Sequence, residues 1–263
     1  MADQPTAPTG VDPTVPHSAR WWNYLQGGQN WYEADKEAAE QFSAMVPEIR
    51  DLALASRQFL QRSVRWAAEH GLRQFLDLGA GLPAEPNVHE LAQRAHPAAA
   101  VVYVDNDPMV LLHRRAYLDS TPEGRTAYLD ADLRDTARIL QRAGETLDLS
   151  RPVAIVLSDV LGHVHDDAEA AGLVRELVAA AVPGSALVLS HSAPSPRLSA
   201  AADAYADTGG LAYRLRPTDQ IARFFTGLTL VEPGLVPMPD WRPDGVTHRI
   251  REDVGYGAVG LVP

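Results

Sequence analysis

The 263-residue sequence contains no cysteine. Disulfide bonds, a thiol nucleophile and thiolate metal ligands are therefore excluded, and nothing points to an oxidising compartment. The chain also lacks a basic-then-apolar leader and any apolar run long enough to cross a bilayer. Its nine histidines are scattered, so the sequence predicts no metal site. We expect a cytoplasmic protein that makes no contact with membranes.

Positive charge is scarce, because 23 lysines and arginines face 34 aspartates and glutamates, for a net charge of −11. A chain of this charge is not expected to wrap nucleic acid, whose phosphates attract cationic side chains. A hydrophobic fraction of 46% and this length are typical of one globular domain with an added segment. We expect a small-molecule partner. The sequence does not decide whether the chain forms a homo-oligomer.

The chain is organised around residues 74–83, QFLDLGAGLP, in which a short apolar run ends in two glycines. The run predicts a buried strand, and Gly79-Ala80-Gly81 lets the backbone turn sharply and approach a ligand closely. Asp77 lies at the carboxyl end of that strand, where ligands bind in open parallel sheets. Its carboxylate can accept hydrogen bonds from an amine or a hydroxyl of the ligand.

Two classes of cofactor use such a turn. Residues 79–84 formally fit a dinucleotide fingerprint, which needs a helix N-terminus to hold the pyrophosphate. Pro83 and Pro86 each remove an N–H group from this region, so a longer loop and a later helix fit better. Asp-x-Gly-x-Gly instead resembles motif I of class I methyltransferases that use S-adenosylmethionine (SAM). An NAD-dependent oxidoreductase is the remote alternative.

Strand and helix patterns alternate from residue 74 onward, which predicts an α/β fold with a parallel sheet and helices on both faces. The predicted strands are 74–78, 101–104, 126–129, 153–157 and 186–189, and the helices between them lie near 88–95, 108–118, 134–143 and 168–181. A helix near 197–206 and one capped by Thr218 follow. Strands 228–231 and 257–262 are expected to form an antiparallel pair that closes a seven-stranded, Rossmann-like sheet around the loop 236–244.

The N-terminal third is predicted to lie outside this sheet. Residues 1–16 read as a disordered leader, 17–73 as a helical extension, and 74–263 as the ligand-binding domain. Helices are expected at 33–45 and from Pro47 to about residue 70, with Gly71 as C-cap. The aromatic segment 17–36 has two readings: a helix that staples the N-terminus to the core, or a lid whose Arg20, Tyr24 and Asn30 face a ligand.

Polar side chains follow four successive predicted strands at one edge of the sheet. They are Asp77 after the first, Asp105 and Asn106 after the second, Asp130 and Asp132 after the third, and Ser158 and Asp159 after the fourth. Asp105 lies 24 residues after Gly81, close to the spacing of an acid that binds a ribose hydroxyl. Residues 105–108, Asp-Asn-Asp-Pro, also suit a turn and a helix N-cap, which is the structural alternative.

Stretches spread over nearly the whole chain from residue 17 resemble one protein family. They lie at 20–36, 74–83, 87–90, 102–108, 132–134, 184–185, 190–191, 233–236 and 241–243. The family is the actinobacterial S-adenosyl methyltransferase family, long described as a domain of unknown function, and Asn-Tyr-Leu-x-Gly-Gly at 23–28 is its most specific mark. The resemblance implies a class I methyltransferase fold and SAM as cofactor, with S-adenosylhomocysteine (SAH) as product.

The resemblance also implies the cofactor contacts. Asp77 and the two glycines correspond to motif I, Asp105 to the ribose acid, and Asp132-Leu133 to the adenine-side pair. The predicted cofactor-binding residues are Arg20, Tyr24, Gly27, Asp77, Gly79, Ala80, Gly81, Asp105, Asn106, Asp132, Leu133, Ser158 and Asp159.

The chain departs from the family pattern in two places. The family's Asp-Tyr-Leu-Leu-Gly-Gly-Lys has Asn23, Gln26 and Gln29 at the corresponding positions here. Its Leu-His-His-hydrophobic stretch reads LGHV at 161–164, so one pocket histidine is missing. The residues that the resemblance implies for the SAM site are present. The sequence does not identify the methyl acceptor.

Aromatic residues are expected to line the acceptor site. The predicted substrate pocket consists of Trp21, Trp22, Trp31, Tyr32 and His163. Such a pocket suits a flat apolar acceptor such as an indole, and some relatives are understood to methylate indole carbon in natural-product pathways, so C-methylation is favoured. His163, with an unperturbed pKa near ~6.5, is the predicted proton acceptor, and Tyr24 flanks the acceptor. A SAM- or SAH-binding regulatory protein without catalysis is the alternative.

The cofactor prediction can be tested by calorimetry. The chain should bind SAM and SAH and should release no heat with NAD. Gly81→Val should weaken SAM binding, because a branched side chain would stand where the ligand approaches. Binding of NAD without binding of SAM would overturn the argument from the glycine turn.

Overall fold

The core of the molecule is an eight-stranded mixed sheet, seen in a computed structural model that describes residue 8 and residues 10–117, 120–245 and 254–263. The strands are β1 Gln74–Leu78, β2 Ala100–Asp105, β3 Arg125–Asp130, β4 Ala154–Ser158, β5 Ala186–Ser192, β6 Thr229–Leu230, β7 Val236–Pro237 and β8 Gly255–Leu261. They run in the order β3-β2-β1-β4-β5-β8-β6, and β7 also pairs with β8. Strands β1 to β5 are parallel, and β8 is antiparallel to β5, β6 and β7.

The sequence predicts this sheet correctly except for the strand number. The mostly parallel arrangement and the antiparallel pair of β6 and β8 are confirmed. Seven strands become eight because Val236 and Pro237, in the loop predicted at 236–244, pair with Gly257 and Tyr256. A two-residue strand that contains a proline carries no strand signal, since proline cannot donate to the ladder.

Nine helices surround the sheet within the described ranges. They are α1 Ser18–Leu25, α2 Glu33–Met45, α3 Ile49–Glu69, α4 Val88–Ala95, α5 Pro108–Tyr117, α6 Thr136–Ala143, α7 Asp167–Ala179, α8 Pro196–Asp207 and α9 Thr218–Arg223. Short 3₁₀ turns lie at Leu161–His163 and Met238–Asp240. Thr218 is the first residue of α9 and Pro217 is its N-cap, so the predicted capping by Thr218 is wrong. No helix in this part of the chain is long and apolar enough to span a bilayer.

The end of α3 shows how the sequence sets a boundary. Gly71 follows the helix with φ of 93°, a conformation that favours glycine. Its N–H donates to the carbonyl of Ala68, and the N–H of Leu72 donates to that of Ala67. These are the two bonds of a Schellman ending, and they turn the chain directly into β1.

Both faces of the sheet are covered, because side chains alternate along each strand. Val101 and Tyr103 pack into a cluster with residues of α1, α2, α3, α4 and α8, whereas Val102 and Val104 pack with residues of α6, α7 and α9. Helix α3 lies at the centre of the first face, and α1, α2 and α4 pack against it. The N-terminal extension is thus part of one helical layer of the fold.

Strand β8 can sit against α3 because it carries glycine where side chains of α3 need space. A Cβ at Gly257 would lie 2.6, 2.7 and 2.9 Å from three ring carbons of Phe59. Phe59 is fully buried and its ring packs edge-on against Trp241, with 5.5 Å between the ring centroids. The ring therefore has little freedom to move aside.

Gly257→Ala should therefore destabilise the protein by about 1–3 kcal/mol through overpacking. The matched control is Gly172→Ala in α7, where the nearest atom to a new Cβ is 3.6 Å away. That variant should be neutral or more stable by up to ~1 kcal/mol, because alanine is the better helix former. Free energies of unfolding from urea titration give both values. Equal stability of the two variants would contradict this account of the packing.

Candidate functional site

A cavity of about 300 Å³ opens at the carboxyl ends of β1, β2, β3 and β4. This edge includes the point between β1 and β4 where the strand order reverses, which is where open α/β sheets bind ligands. The strand-side lining is Asp77, Gly79, Ala80, Gly81, Leu82, Val104, Asp105, Asn106, Ala131, Asp132, Leu133, Arg134, Ser158, Asp159, Val160, His163 and Val164. The opposite wall is formed by His17, Ser18, Ala19, Trp22, Asn23 and Gln26 of the α1 region, Ser56, Arg57 and Leu60 of α3, and Leu211.

The glycine turn after β1 has the geometry that requires glycine. Gly79 and Gly81 have φ of 69° and 62°. A Cβ on Gly79 would lie 2.2 Å from a methyl group of Val160, whereas a Cβ on Gly81 would meet nothing within 4 Å. Gly79 therefore permits close packing against the segment after β4, and Gly81 leaves open space on the cavity side.

Asp105 closes this turn from the neighbouring strand. Its Oδ2 accepts a hydrogen bond from the N–H of Gly81 at 2.8 Å, and its Oδ1 accepts one from the N–H of Asp107 at 3.0 Å. Burial raises the pKa of Asp105, and the two backbone donors oppose that shift. Asp105 can therefore stabilise the turn and still bind a ligand. Each of its carboxylate oxygens keeps a second lone pair that can accept another hydrogen bond.

Asp77 is a buried acid that two arginines influence electrostatically. Burial raises the pKa of Asp77 to about 6, and the charges of Arg114 and Arg57 partly offset this shift. Arg114 donates through Nε to the carbonyl of Gly81 at 2.8 Å and also bonds to the carbonyl of Ala80. The glycine turn is therefore held on one side by a carboxylate and on the other by a guanidinium.

Arg57 was not predicted as a site residue. It projects from α3 and donates through Nη2 to the carbonyl of Pro86 at 2.7 Å and to that of Ala84. Burial lowers the pKa of Arg57 to about 10, and Arg114 contributes to this shift. Its sequence signal is weak, since an arginine beside an apolar helical stripe reads as a residue at the edge of a core face.

Asp159, which follows β4, is the most heavily hydrogen-bonded acid of the cavity. Its φ is 51°. Its Oδ2 accepts from the hydroxyls of Ser56 at 2.5 Å and Ser190 at 2.9 Å. Its Oδ1 has longer contacts, 3.4 Å to the hydroxyl of Ser192 and 3.5 Å to that of Tyr213. Burial raises the pKa of Asp159, and these hydroxyl donors oppose the shift.

The residues predicted on the adenine side follow β3. Asp132 and Leu133 both line it, as does the exposed Asn106. Asp132 accepts from the N–H of Arg134 at 2.8 Å and pairs with its guanidinium at 3.3 Å. Ser158 lines the cavity as well, with its hydroxyl 3.2 Å from that of Ser190.

Tyr24, Gly27 and Trp31 were predicted to face a ligand, but they are not among the residues that line the cavity. The hydroxyl of Tyr24 donates to Glu40 at 2.9 Å, and its ring packs edge-on against Trp31. Gly27 follows α1 with φ of 84°, where an added Cβ would meet nothing within 4 Å. The rotation of α1 about its axis therefore directs this group away from the cavity.

Arg20 and Tyr32 also lie outside the cavity lining, in the interior of the extension. Arg20 donates to the carbonyl of Val15 at 2.9 Å and lies 3.5 Å from the carboxylate of Asp35. Asp35 in turn accepts from the N–H groups of His17 and Tyr32, each at 2.8 Å. These contacts favour the staple reading of the segment 17–36. Residues 1–7 and 9 lie outside the described residues.

A second, smaller pocket of about 60 Å³ adjoins the cavity. It is lined by Ser18, Trp21, Trp22, Phe42, Ile49, Leu52, His163, Ser192, Leu198, Ala202, Tyr205, Leu211, Tyr213 and Leu215. Ser18, Trp22, His163 and Leu211 line both spaces. Of the predicted substrate-pocket residues, the structure thus brings Trp21, Trp22 and His163 together.

His163 is half-buried at this shared wall. Its Nδ1 lies 3.3 Å from the carbonyl of Ala212, and its ring packs edge-on against Tyr213. Burial lowers the pKa of His163 to about 4. The assumption of an unperturbed imidazole is therefore wrong, and a group with so low a pKa is a weak proton acceptor.

Comparison with known proteins agrees with this geometry. The model of a family described as S-adenosyl methyltransferase matches residues 4–263. A solved DUF574 family protein of Streptomyces avermitilis is 42% identical, with a TM-score of 0.92 over 96% of this chain and 99% of its own. A candidate methyltransferase of Thermobifida fusca is 36% identical, with a TM-score of 0.88 over 98% and 99%. A search of curated proteins finds no match.

More distant structures share the fold. The magnesium protoporphyrin IX methyltransferase of Synechocystis, solved with SAH, is 14% identical with a TM-score of 0.52, over 92% of this chain and 93% of its own. Such a likeness shows a class I methyltransferase fold. Since the family model spans nearly the whole sequence and two full-length relatives exceed 30% identity, the chain belongs to the S-adenosyl methyltransferase family, whose cofactor is SAM.

Proposed function

We propose that this protein methylates a small aromatic molecule, with SAM in the larger cavity and the acceptor in the smaller apolar pocket. The observation that carries the proposal is the shared wall, in which Trp22 and His163 border both spaces. Two ligands placed there would meet at this wall, which is the positioning that a transfer reaction needs.

The residues of the larger cavity fit the chemical groups of SAM. The open side of Gly81 gives backbone access, and Asp105 supplies a carboxylate for ribose hydroxyls. Asp77 can accept from the amino group of the methionine portion, and Arg57 offers positive charge for its carboxylate. Leu133 gives an apolar surface after β3, beside Asp132. When bound, SAM supplies an electrophilic methyl group.

The smaller pocket favours a flat apolar acceptor. Its walls are mostly aromatic and aliphatic, with Trp21 and Tyr205 packed together at 5.6 Å between ring centroids. A volume of about 60 Å³ holds only a compact part of a ligand. The remainder would extend along Leu211 and Trp22 towards the larger cavity. An indole or a related natural-product intermediate has this shape, and methylation at ring carbon agrees with it.

The protein contributes position and a dry environment more than base strength. His163 and Tyr213 present aromatic surface to the acceptor, and the low pKa of His163 keeps its imidazole uncharged at neutral pH. An uncharged wall keeps water out of the site and adds no positive charge beside the methyl group that SAM supplies. Tyr24 has no role in this proposal, because its hydroxyl is bonded to Glu40 outside both spaces.

Ala202→Phe should fill the smaller pocket from α8 and block the acceptor. We expect turnover to fall at least ~10-fold, because the acceptor can no longer be held next to the methyl group of SAM. SAH affinity should stay within ~2-fold of the wild-type value. The matched control is Ala204→Phe, an exposed residue of the same helix, which should behave like wild type. Unchanged turnover in Ala202→Phe would place the acceptor elsewhere.

SAM binding should depend on pH through Asp77. Its pKa of about 6 lies above the unfolded value, so the carboxyl is mostly protonated at pH 5 and mostly ionised at pH 7. If the ionised form holds the amino group of SAM, affinity should fall up to ~10-fold when the pH is lowered from 7 to 5. Calorimetry of Asp77→Asn should show weaker binding that no longer changes over this range. The same pH dependence in that variant would exclude Asp77 as its source.

The overall proposal is tested by incubating the protein with methyl-labelled SAM and a panel of aromatic metabolites. Label transferred to a panel member, with formation of SAH, supports the proposal. Tight binding of SAH without transfer to any aromatic compound would favour the regulatory alternative. Transfer to an aliphatic acceptor would retain the methyltransferase and overturn the aromatic assignment.

A further inference from the structure

We propose that Asp159 recognises the acceptor, accepting a hydrogen bond from an N–H or O–H group of the aromatic molecule through its Oδ1. The proposal rests on the proposed function and specifies its substrate class: a flat apolar molecule that carries one hydrogen-bond donor. It differs from the cofactor role that the sequence assigns to Asp159.

The two oxygens of Asp159 have different surroundings. Oδ2 is held by short bonds from Ser56 and Ser190. Oδ1 is contacted by the hydroxyls of Ser192 and Tyr213, at 3.4 and 3.5 Å, which are at the limit of hydrogen-bond length. Ser192 and Tyr213 both line the smaller pocket. One oxygen is therefore anchored. The other has no short donor and lies beside two hydroxyl groups of the smaller pocket, while Asp159 itself lines the larger cavity.

A buried carboxylate oxygen without a short donor favours a ligand that supplies one. Hydrogen bonds to charged groups are stronger than neutral ones, and the two present contacts of Oδ1 are at the limit of hydrogen-bond length. Burial raises the pKa of Asp159, so its ionised form is a stronger acceptor than an ordinary aspartate. A ligand without a donor at this point would make no hydrogen bond to Oδ1, and its affinity would lack the contribution of that bond.

Tyr213 forms the wall beside this oxygen, and its place depends on Gly162. A Cβ at Gly162 would lie 2.2 Å from two carbons of the Tyr213 ring. Glycine is therefore needed here for space, which gives a physical reading of the histidine that the family pattern has and this chain lacks. The ring of Tyr213 packs between His163 and His191, with centroids 5.4 and 5.5 Å away.

The segment that carries Tyr213 is firmly held. The N–H of Arg214 donates to the carbonyl of Gly162 at 2.7 Å. The buried Arg216 donates to the carbonyls of Leu161 at 2.9 Å and Val164 at 2.6 Å, and pairs with Asp167 at 2.9 Å. The wall of the pocket and the turn after β4 that carries Asp159 are thus fixed relative to each other.

The test measures binding of matched probe pairs to the SAH-loaded protein by calorimetry. Indole is compared with 1-methylindole, and phenol with anisole, because each pair differs in one donor. In wild type we expect the donor-bearing member to bind at least ~10-fold tighter, a typical effect of one charged hydrogen bond. In Asp159→Asn this ratio should fall below ~3-fold.

Two variants separate recognition from structure. Gly162→Ala should displace the Tyr213 ring and weaken both members of each pair at least ~5-fold while their ratio persists. Asp166→Asn, which keeps an N-cap acceptor on α7, should leave affinities and ratio unchanged. Thermal unfolding checks that each variant is folded. If Asp159→Asn does not fold, a wild-type protein that fails to discriminate the probe pairs still overturns the proposal.

The outcomes are distinguishable from failure of the proposed function. If wild type does not bind SAH, the proposed function fails. If SAH binds and the pairs are not discriminated, or no probe binds, the acceptor assignment fails alone. If Asp159→Asn loses SAH affinity and keeps the ratio, Asp159 belongs to the cofactor site and the proposal is overturned.

Discussion

The hydrogen bond from Gly81 to Asp105 is the contact on which the site depends. It ties the turn after β1 to the end of β2, while Arg114 holds the carbonyls of that turn from α5. Loops are usually the mobile part of a fold. This one is fixed between the carboxylate of Asp105 on β2 and the guanidinium of Arg114 on α5. Its open glycine edge is thereby kept available in a constant shape, which is the pre-organisation that tight binding of an extended ligand requires.

Helix α3 connects this turn to the remaining parts of the site. Ser56 and Arg57 are consecutive, yet one bonds to Asp159 after β4 and the other supports the loop at residues 84–86 after β1. One turn further, Phe59 fills the space left by Gly257 on β8. Arg62 donates to the carbonyls of Met238 and Trp241. A single helix thus fixes the distance between the loop after β1, the carboxylate of Asp159 and the closing strands.

The sequence predicts the parts of this structure that are set by local chemistry. The glycine turn, the alternating strands and helices and the ending of α3 at Gly71 all follow from residues close together in the chain. The spacing of Asp77, Asp105, Asp132 and Asp159 places them at one sheet edge for the same reason, because each lies at or just after the carboxyl end of a parallel strand. All four line the cavity.

Other features depend on orientation, which spacing does not encode. Helical periodicity does not reveal that Ser56 and Arg57 reach the site, since the strand ends that α3 crosses cannot be read from it. The direction of Tyr24 depends on how α1 is rotated against α2, where Glu40 accepts its hydroxyl. The pKa of His163 depends on burial by a segment that lies about 50 residues later in the chain. In each case a residue distant in sequence decides the outcome.

The contact between Gly162 and Tyr213 also restricts the order in which this pocket can change. Any larger residue at position 162 would overlap the tyrosine ring, so position 213 must first accept a smaller side chain. The reverse order passes through a protein whose wall is displaced. In relatives of this chain the two positions are therefore expected to change in linked steps, with the smaller residue arriving first.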